Sequence, residues 1–221
     1  MSAPHGAEGS GEIAEDLGGG RKRTGRRPGV TLSRQAILQA ARSRFAEHGY
    51  AGASVRAIAN DAGVDAALIH HFFLSKEGLF AASIHDALHP EAVVEAVLGG
   101  KGVRGMGERL VRTFLGLWEG ETTARQMRSI LRSAASHEAA ARILREFITQ
   151  EVLVPIAKTT GRTHPDVRAS LAASQLVGLA MTRYIVEIGP LATLPQDDVV
   201  ACVAPTLQRY LTGALPAPFD G

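Results

Sequence analysis

The chain has 221 residues, 45% of them hydrophobic and 21% charged, with a formal net charge of +2 and one cysteine. That length can bury a full core in one domain or two small ones, and the composition is that of a globular protein rather than a disordered or fibrous one. A lone cysteine excludes an intrachain disulfide, no run approaches the ~20 apolar residues that span a bilayer, and the polar, acidic start does not read as a leader; a cytoplasmic protein without a membrane partner is expected.

Residues 1–30 are rich in Gly and Ser and poor in large apolar side chains, which predicts a disordered tail. Its sign changes at Arg21: Arg-Lys-Arg-Thr-Gly-Arg-Arg-Pro-Gly29 is a basic arm. It reads either as a solubilising tail or as an arm for a minor groove or for phosphates, with Arg26, Arg27 and Thr31 as candidate contacts. Ser33 then caps a helix over about 34–48, with Ile37, Ala41 and Phe45 inward and Gly49 at its end.

Ser54-Val-Arg-Ala-Ile-Ala-Asn-Asp-Ala-Gly-Val-Asp-Ala-Ala-Leu-Ile-His-His-Phe-Phe73 carries the strongest local signal. Ser54 caps a short helix over 54–61 with Val55, Ile58 and Ala59 one turn apart, and Gly63 supplies the left-handed residue of a tight turn. Asp65 caps a second helix over 65–72, with Val64, Leu68 or Ile69, and Phe73 inward. Two apolar stripes joined by a three-residue turn fit a helix-turn-helix, whose candidate DNA-facing residues are Ser54, Val55, Arg56, Asp65, Ala66, Ala67, His70 and His71. The spacing alone also fits an ordinary helical hairpin. The charge separates the two readings: residues 21–76 hold ten Lys/Arg against three acids, whereas residues 77–221 hold fourteen against fifteen. A basic segment around the hairpin in an otherwise neutral chain is the footprint of a phosphate-binding module.

Ser75 caps a fourth helix through Phe80, Ile84 and Leu88, broken or bent at Pro90, and residues 91–98 continue the helical pattern. A glycine-rich loop over 99–107 precedes three helices at roughly 106–118, 123–136 and 138–153, then two longer segments at about 166–187 and 197–212. Clean strand alternation is absent, so the expected fold is all-α: a three-helix DNA-binding domain over 31–91 and a larger helical regulatory and dimerisation domain over 92–221. Residues 169–182 run without a charge and are apolar around the helix, which calls for cover on two sides. A second subunit would supply it, with Leu171, Gln175, Gly178, Leu179, Val203, Leu207 and Tyr210 as candidate dimer contacts; a central helix of a monomeric bundle is the alternative.

Other motifs carry less. Gly100-Lys-Gly-Val-Arg-Gly105 matches a dinucleotide fingerprint in letters only, since no strand precedes it. The adjacent His70 and His71 point about 100° apart, and His85 with His89 lacks a third ligand, so no metal and no cofactor are expected. Cys202, in the apolar run 199–204, reads as buried filler. No nucleophile–base arrangement suggests an enzyme.

The stretches Ser33–Tyr50, Ser54–Phe73 and Ser75-Lys-Glu-Gly-Leu-Phe80 resemble the tetracycline-repressor (TetR) family of transcriptional regulators. The resemblance implies a homodimeric repressor of a palindromic operator in double-stranded DNA, released by a small molecule bound in the C-terminal domain. It implies that Lys76 binds phosphate and that the end of the recognition helix, here His70, His71 and Phe72, touches the backbone; Phe72 departs from the pattern because it cannot hydrogen-bond. Leu74 replaces a usually small or polar residue and is expected to tuck into the junction with the fourth helix. With Ala66 and Ala67 on the reading face, base readout is expected to lean on thymine methyls, on Arg56 and on the basic arm. Phe114, Trp118, Met127, Phe147, Met181 and Tyr184 are expected to line the ligand cavity, with Arg128, Arg183 or Glu187 as polar anchors, although each also reads as plain core. A helical binding protein or enzyme with a merely structural hairpin stays open as the second reading.

Overall fold

A computed structural model describes residues 28–100 and 102–219, and among the described residues every regular element is helical. Helix α1 (Pro28–Gly52) starts upstream of the Ser33 cap, because the capping position does not stop a chain whose preceding residues already take helical dihedrals. It is interrupted where expected, at Gly49 (φ 67°, ψ 179°), a conformation that L side chains avoid. The short helices α2 (Val55–Ala62) and α3 (Ala66–Phe73) follow, then α4 (Lys76–Leu88), whose first turn is capped by the Ser75 hydroxyl accepting from Gly78 N at 3.1 Å. His89 leaves the helix with φ 44° and Pro90 opens α5 (Pro90–Leu98).

Helices α6 (Met106–Glu119), α7 (Glu121–Ser136) and α8 (Glu138–Glu146) come next. The single helix expected over 138–153 is instead α8 followed by a π-helical turn, Phe147–Leu153, and a short α9 (Val154–Lys158). Pro155 explains the change: it lacks an N–H and its ring collides with the carbonyl four residues back, so the ladder widens to i→i+5 just before it. The chain ends in α10 (Pro165–Ala180), which runs into a second π turn, Met181–Ile185, and in α11 (Gln196–Thr212).

One contiguous apolar core runs from Ile37 in α1 to Leu211 in α11. Its N-terminal part centres on Phe45, Tyr50 and Phe80, with Phe80 edge-on to both partners at 4.9 and 5.0 Å between ring centroids. Each such pair adds about 0.5–1.5 kcal/mol beyond area burial, so the triad pins α4 to α1. Helix α7 is tied to α1 by two serines: Ser129 Oγ donates to the Phe45 carbonyl, and Ser133 Oγ accepts from Tyr50 N at 3.0 Å. Helices α6 and α11 cross so closely at Gly107 that a Cβ there would lie 2.5 Å from the Ala204 carbonyl oxygen. Arg168, 2% exposed, is satisfied by carbonyls of Thr163, Tyr210 and Gly213 at 2.7–2.9 Å and fastens the start of α10 to the end of α11. Cys202 is exposed, contrary to expectation, because Val199, Val200, Leu207 and Leu211 take the inner face of α11 and Cys202 falls on the opposite side.

Candidate nucleic-acid interface

The hairpin is built by local chemistry. Ser54, extended at φ −101°, ψ 148°, accepts from Ala57 N through its hydroxyl at 3.2 Å and starts α2. Gly63 (φ 65°, ψ 33°) ends it, with Gly63 N donating to Asn60 O at 3.1 Å and Val64 N to Ala59 O at 3.0 Å, the pairing that closes a helix through a left-handed residue. Asp65 Oδ1 then accepts from Ala67 N at 2.7 Å and starts α3. Ile58, Ala59, Ile69 and Phe73 are buried between α2, α3 and the core.

Burial leaves most of the candidate residues of the hairpin outside. Ser54, Arg56, Asp65, Ala67, His70 and His71 are exposed, Val55 and Ala66 are half-buried at its edge, and Thr31 is exposed on α1. Arg26 and Arg27 lie outside the described residues. Arg44 grips Asp61 through both carboxylate oxygens, Nη2–Oδ1 at 2.8 Å, bracing α1 against the end of α2. The guanidinium holds the Asp61 carboxyl below the usual carboxylate range. Periodicity could not expose this brace; its signal was an unpaired aspartate in the last turn of α2, where the helix dipole disfavours negative charge.

At the α3–α4 turn, Leu74 is 83% exposed instead of tucked away. Its backbone is left-handed (φ 65°) and its N–H and carbonyl are held by His70 O at 3.0 Å and His70 Nδ1 at 3.1 Å, so its side chain is turned outward. Lys76, half-buried, places Nζ 4.5 Å from the Tyr50 ring centroid and donates to Ala51 O at 3.4 Å. Partial burial lowers its pKa, against the pull of neighbouring Glu77. The Tyr50 hydroxyl donates to Glu77 Oε1 at 2.7 Å; burial and that bond push Tyr50 up to about 12 and hold Glu77 low. A cation seated on a ring at the first turn of α4, beside Ala51 and three residues beyond the end of α3, is positioned to meet an anion at the edge of the exposed face of the hairpin.

On the C-terminal side, three of the expected cavity residues come together. Phe114, Met127 and Phe147 line an apolar void of about 90 Å³ whose wall also includes Leu88, Val93, Leu110 and Ala173 and no polar side chain. Trp118, Arg128, Met181 and Tyr184 do not line it. Trp118 stacks on Tyr184 at 4.9 Å and 3°. Arg183 is buried beside them, donating to Leu191 O at 2.6 Å with Glu119 3.6 Å away, while Glu187 is exposed. Arg128 belongs to a separate groove between α1 and α7. Sequence periodicity places these side chains on helices but cannot say which neighbour each one meets. Of the candidate dimer residues, Leu179 (4% exposed) and Leu207 (0%) are packed inside the subunit where α10 and α11 meet the core, so neither is available to a partner. Leu171, Gln175, Val203 and Tyr210 are half-buried and Gly178 is exposed.

The sequence matches the family model for bacterial regulatory proteins of the tetR family over residues 37–83 and the one for the tetracyclin repressor-like C-terminal domain over 105–211. A TetR-family regulator from Streptomyces coelicolor A3 is 36% identical, with a TM-score of 0.59, over 85% of this chain and 98% of that one. The chain belongs to the TetR family. The chain is also similar in fold to a transcriptional regulator from Rhodococcus sp. Rha1, 25% identical at a TM-score of 0.54 over 82% and 98% of the two chains. The HTH-type transcriptional repressor AcnR of Corynebacterium glutamicum is 41% identical over 76 residues, 31% of this chain and 40% of that protein. The chain thus matches about two fifths of that curated relative. TetR membership makes the protein a transcriptional regulator rather than an enzyme, and resolves the choice that the hairpin alone left open. Among the described residues no helix is long and apolar enough to cross a membrane.

Proposed function

We propose that this regulator is a homodimeric repressor that grips a palindromic operator with two copies of α3 and is released by a small, uncharged apolar ligand. The observation that carries the reading is the wall of the 90 Å³ void. It joins Leu88, the last residue of α4, to Phe114, Met127 and Phe147 of the C-terminal helices. Helix α4 begins at Lys76, directly behind the recognition helix, so a molecule that widens the void displaces the far end of the element carrying that lysine.

The chemistry of the wall sets the ligand class. A charge placed among purely apolar side chains would keep no hydration and gain no partner, so carboxylates and amines are rejected. Half-sites on duplex DNA repeat about every 34–36 Å, so a displacement of a few ångströms at α4 takes one reader out of register. A ligand preferring the displaced arrangement by about 3 kcal/mol lowers operator affinity roughly a hundredfold. The half-buried Leu171, Gln175, Val203 and Tyr210 with Gly178 are the faces of α10 and α11 left for the second subunit. Linkage supplies the test: saturating operator must weaken ligand binding by the factor by which ligand weakens operator binding. Equal ligand affinity with and without operator, measured by calorimetry, refutes the switch.

A further inference from the structure

A polar groove runs between the C-terminal half of α1 and α7, in two depressions of about 600 and 430 Å³ that share Ala46, Glu47, Glu121 and Arg125. It is distinct from the apolar void. In the smaller depression Arg125, Arg128 and Arg132 project from α7, with His48, Gly49 and Ala51 of α1 on the other wall. Seven residues at about 1.5 Å each spread the three guanidinium groups over roughly 10 Å of one helix face. The arginines of α1 beside the groove are taken up, Arg42 by Asp86 and Arg44 by Asp61. Among the described residues Arg125, Arg128 and Arg132 have no carboxylate within ion-pair distance.

Like charges one turn apart destabilise a helix, and α7 carries a single acid, Glu121, against these three cations. Glu121 sits in the first turn, where the helix dipole already favours it, and Glu47 lies 3.7 Å from His48. The wall is therefore left with uncompensated guanidinium groups in a recess of small-molecule size. Guanidinium forks match phosphate oxygens bidentately. We propose that this groove binds a small phosphate-bearing metabolite through Arg125, Arg128 and Arg132.

The floor of the groove gives such binding a consequence. Ser129 and Ser133 tie α7 to Phe45 and Tyr50 there, and the groove ends at Ala51, whose carbonyl holds Lys76. An anion clamped on this face fixes α7 against the end of α1, immediately before Ser54 and the helix-turn-helix. A phosphate group could also come from the operator backbone, but the recess between two helices favours a small molecule over a duplex.

The probe is pyrophosphate, titrated calorimetrically into the full chain without DNA at constant ionic strength. Arg128→Gln/Arg132→Gln should weaken binding about tenfold or more, and Arg128→Lys/Arg132→Lys by less, since charge is kept and the fork is lost. Circular dichroism should be unchanged in both. Equal affinity in the Gln variant, or no binding by the wild type, overturns the proposal. So does a shallower salt dependence of operator binding in the Gln variant without pyrophosphate binding, which assigns the arginines to DNA phosphates. The calorimetric arm uses no DNA, so its outcome is independent of the apolar-ligand switch.

Discussion

Ala173 of α10 is the smallest side chain on the wall of the 90 Å³ void, and Ala173→Leu is the direct way to fill it. An unfilled cavity costs about 24 cal/mol per Å³, which makes the ceiling for complete filling about 2 kcal/mol. Fixing a leucine rotamer takes back about 0.5–1 kcal/mol, leaving a gain near 1 kcal/mol. For a chain of this length that corresponds to a rise in Tm of about 2–4 °C. Urea unfolding gives the free energy and a thermal melt the Tm. Dry apolar cavities take up xenon, so xenon NMR should report binding to the wild type and none to the variant. Operator affinity should stay unchanged, because α10 lies far from the reading face, while release by apolar ligands should be lost. A variant that is less stable and still takes up xenon would refute the assignment of this void.

Gly78→Ala should weaken operator binding and destabilise the fold by about 1–3 kcal/mol, since its Cβ would strike the Phe73 carbonyl oxygen, whereas Gly116→Ala, with open space at the same atom, should stabilise α6 by about 0.5–1 kcal/mol; paired denaturant melts check the contrast. Lys76→Ala should lower affinity for operator and unrelated duplex by the same factor, because a phosphate contact carries no base information, and competitive binding assays read that ratio. Tyr50→Phe keeps the ring contacts but removes the bond to Glu77, costing about 1 kcal/mol at neutral pH. Glu77 is held below 4.5 in the fold, so its contribution is present above that value and lost as pH falls through the folded one; the stability gap between wild type and variant should therefore narrow in acid. On the alkaline side wild type should lose more stability than the variant between the ordinary tyrosine value of 10.0 and about 12, because only it carries the raised Tyr50.

The hairpin could be read from its residues because each boundary is a local event: a serine and an aspartate accept from the next turn, and one glycine takes the left-handed conformation between them. The C-terminal half is decided by contacts between distant segments, which spacing does not encode. Phe114 and Trp118 lie one turn apart on α6, yet one faces the void and the other stacks on Tyr184. Leu179 and Leu207 look like the other apolar residues of their helices and are distinguished only by what crosses over them. The spacing over 138–153 reads as one helix and does not show that the chain approaches Pro155 through a wide turn that carries Phe147 and Val152 to the cavity wall. Leu74 defied a size rule because its backbone, fastened to His70 at both its N–H and its carbonyl, dictates where the side chain goes.

The account stands most directly on an operator titration against salt. Fluorescence anisotropy with a labelled duplex from the region upstream of this gene, repeated across a range of salt, gives the slope of log affinity against log concentration. Each neutralised phosphate contributes about −0.9, and several contacts from each of two subunits predict a slope of about −5 or steeper at a stoichiometry of two chains per duplex. A flat response, or no binding to any such duplex, would contradict the reading of this chain as a dimeric, operator-binding repressor.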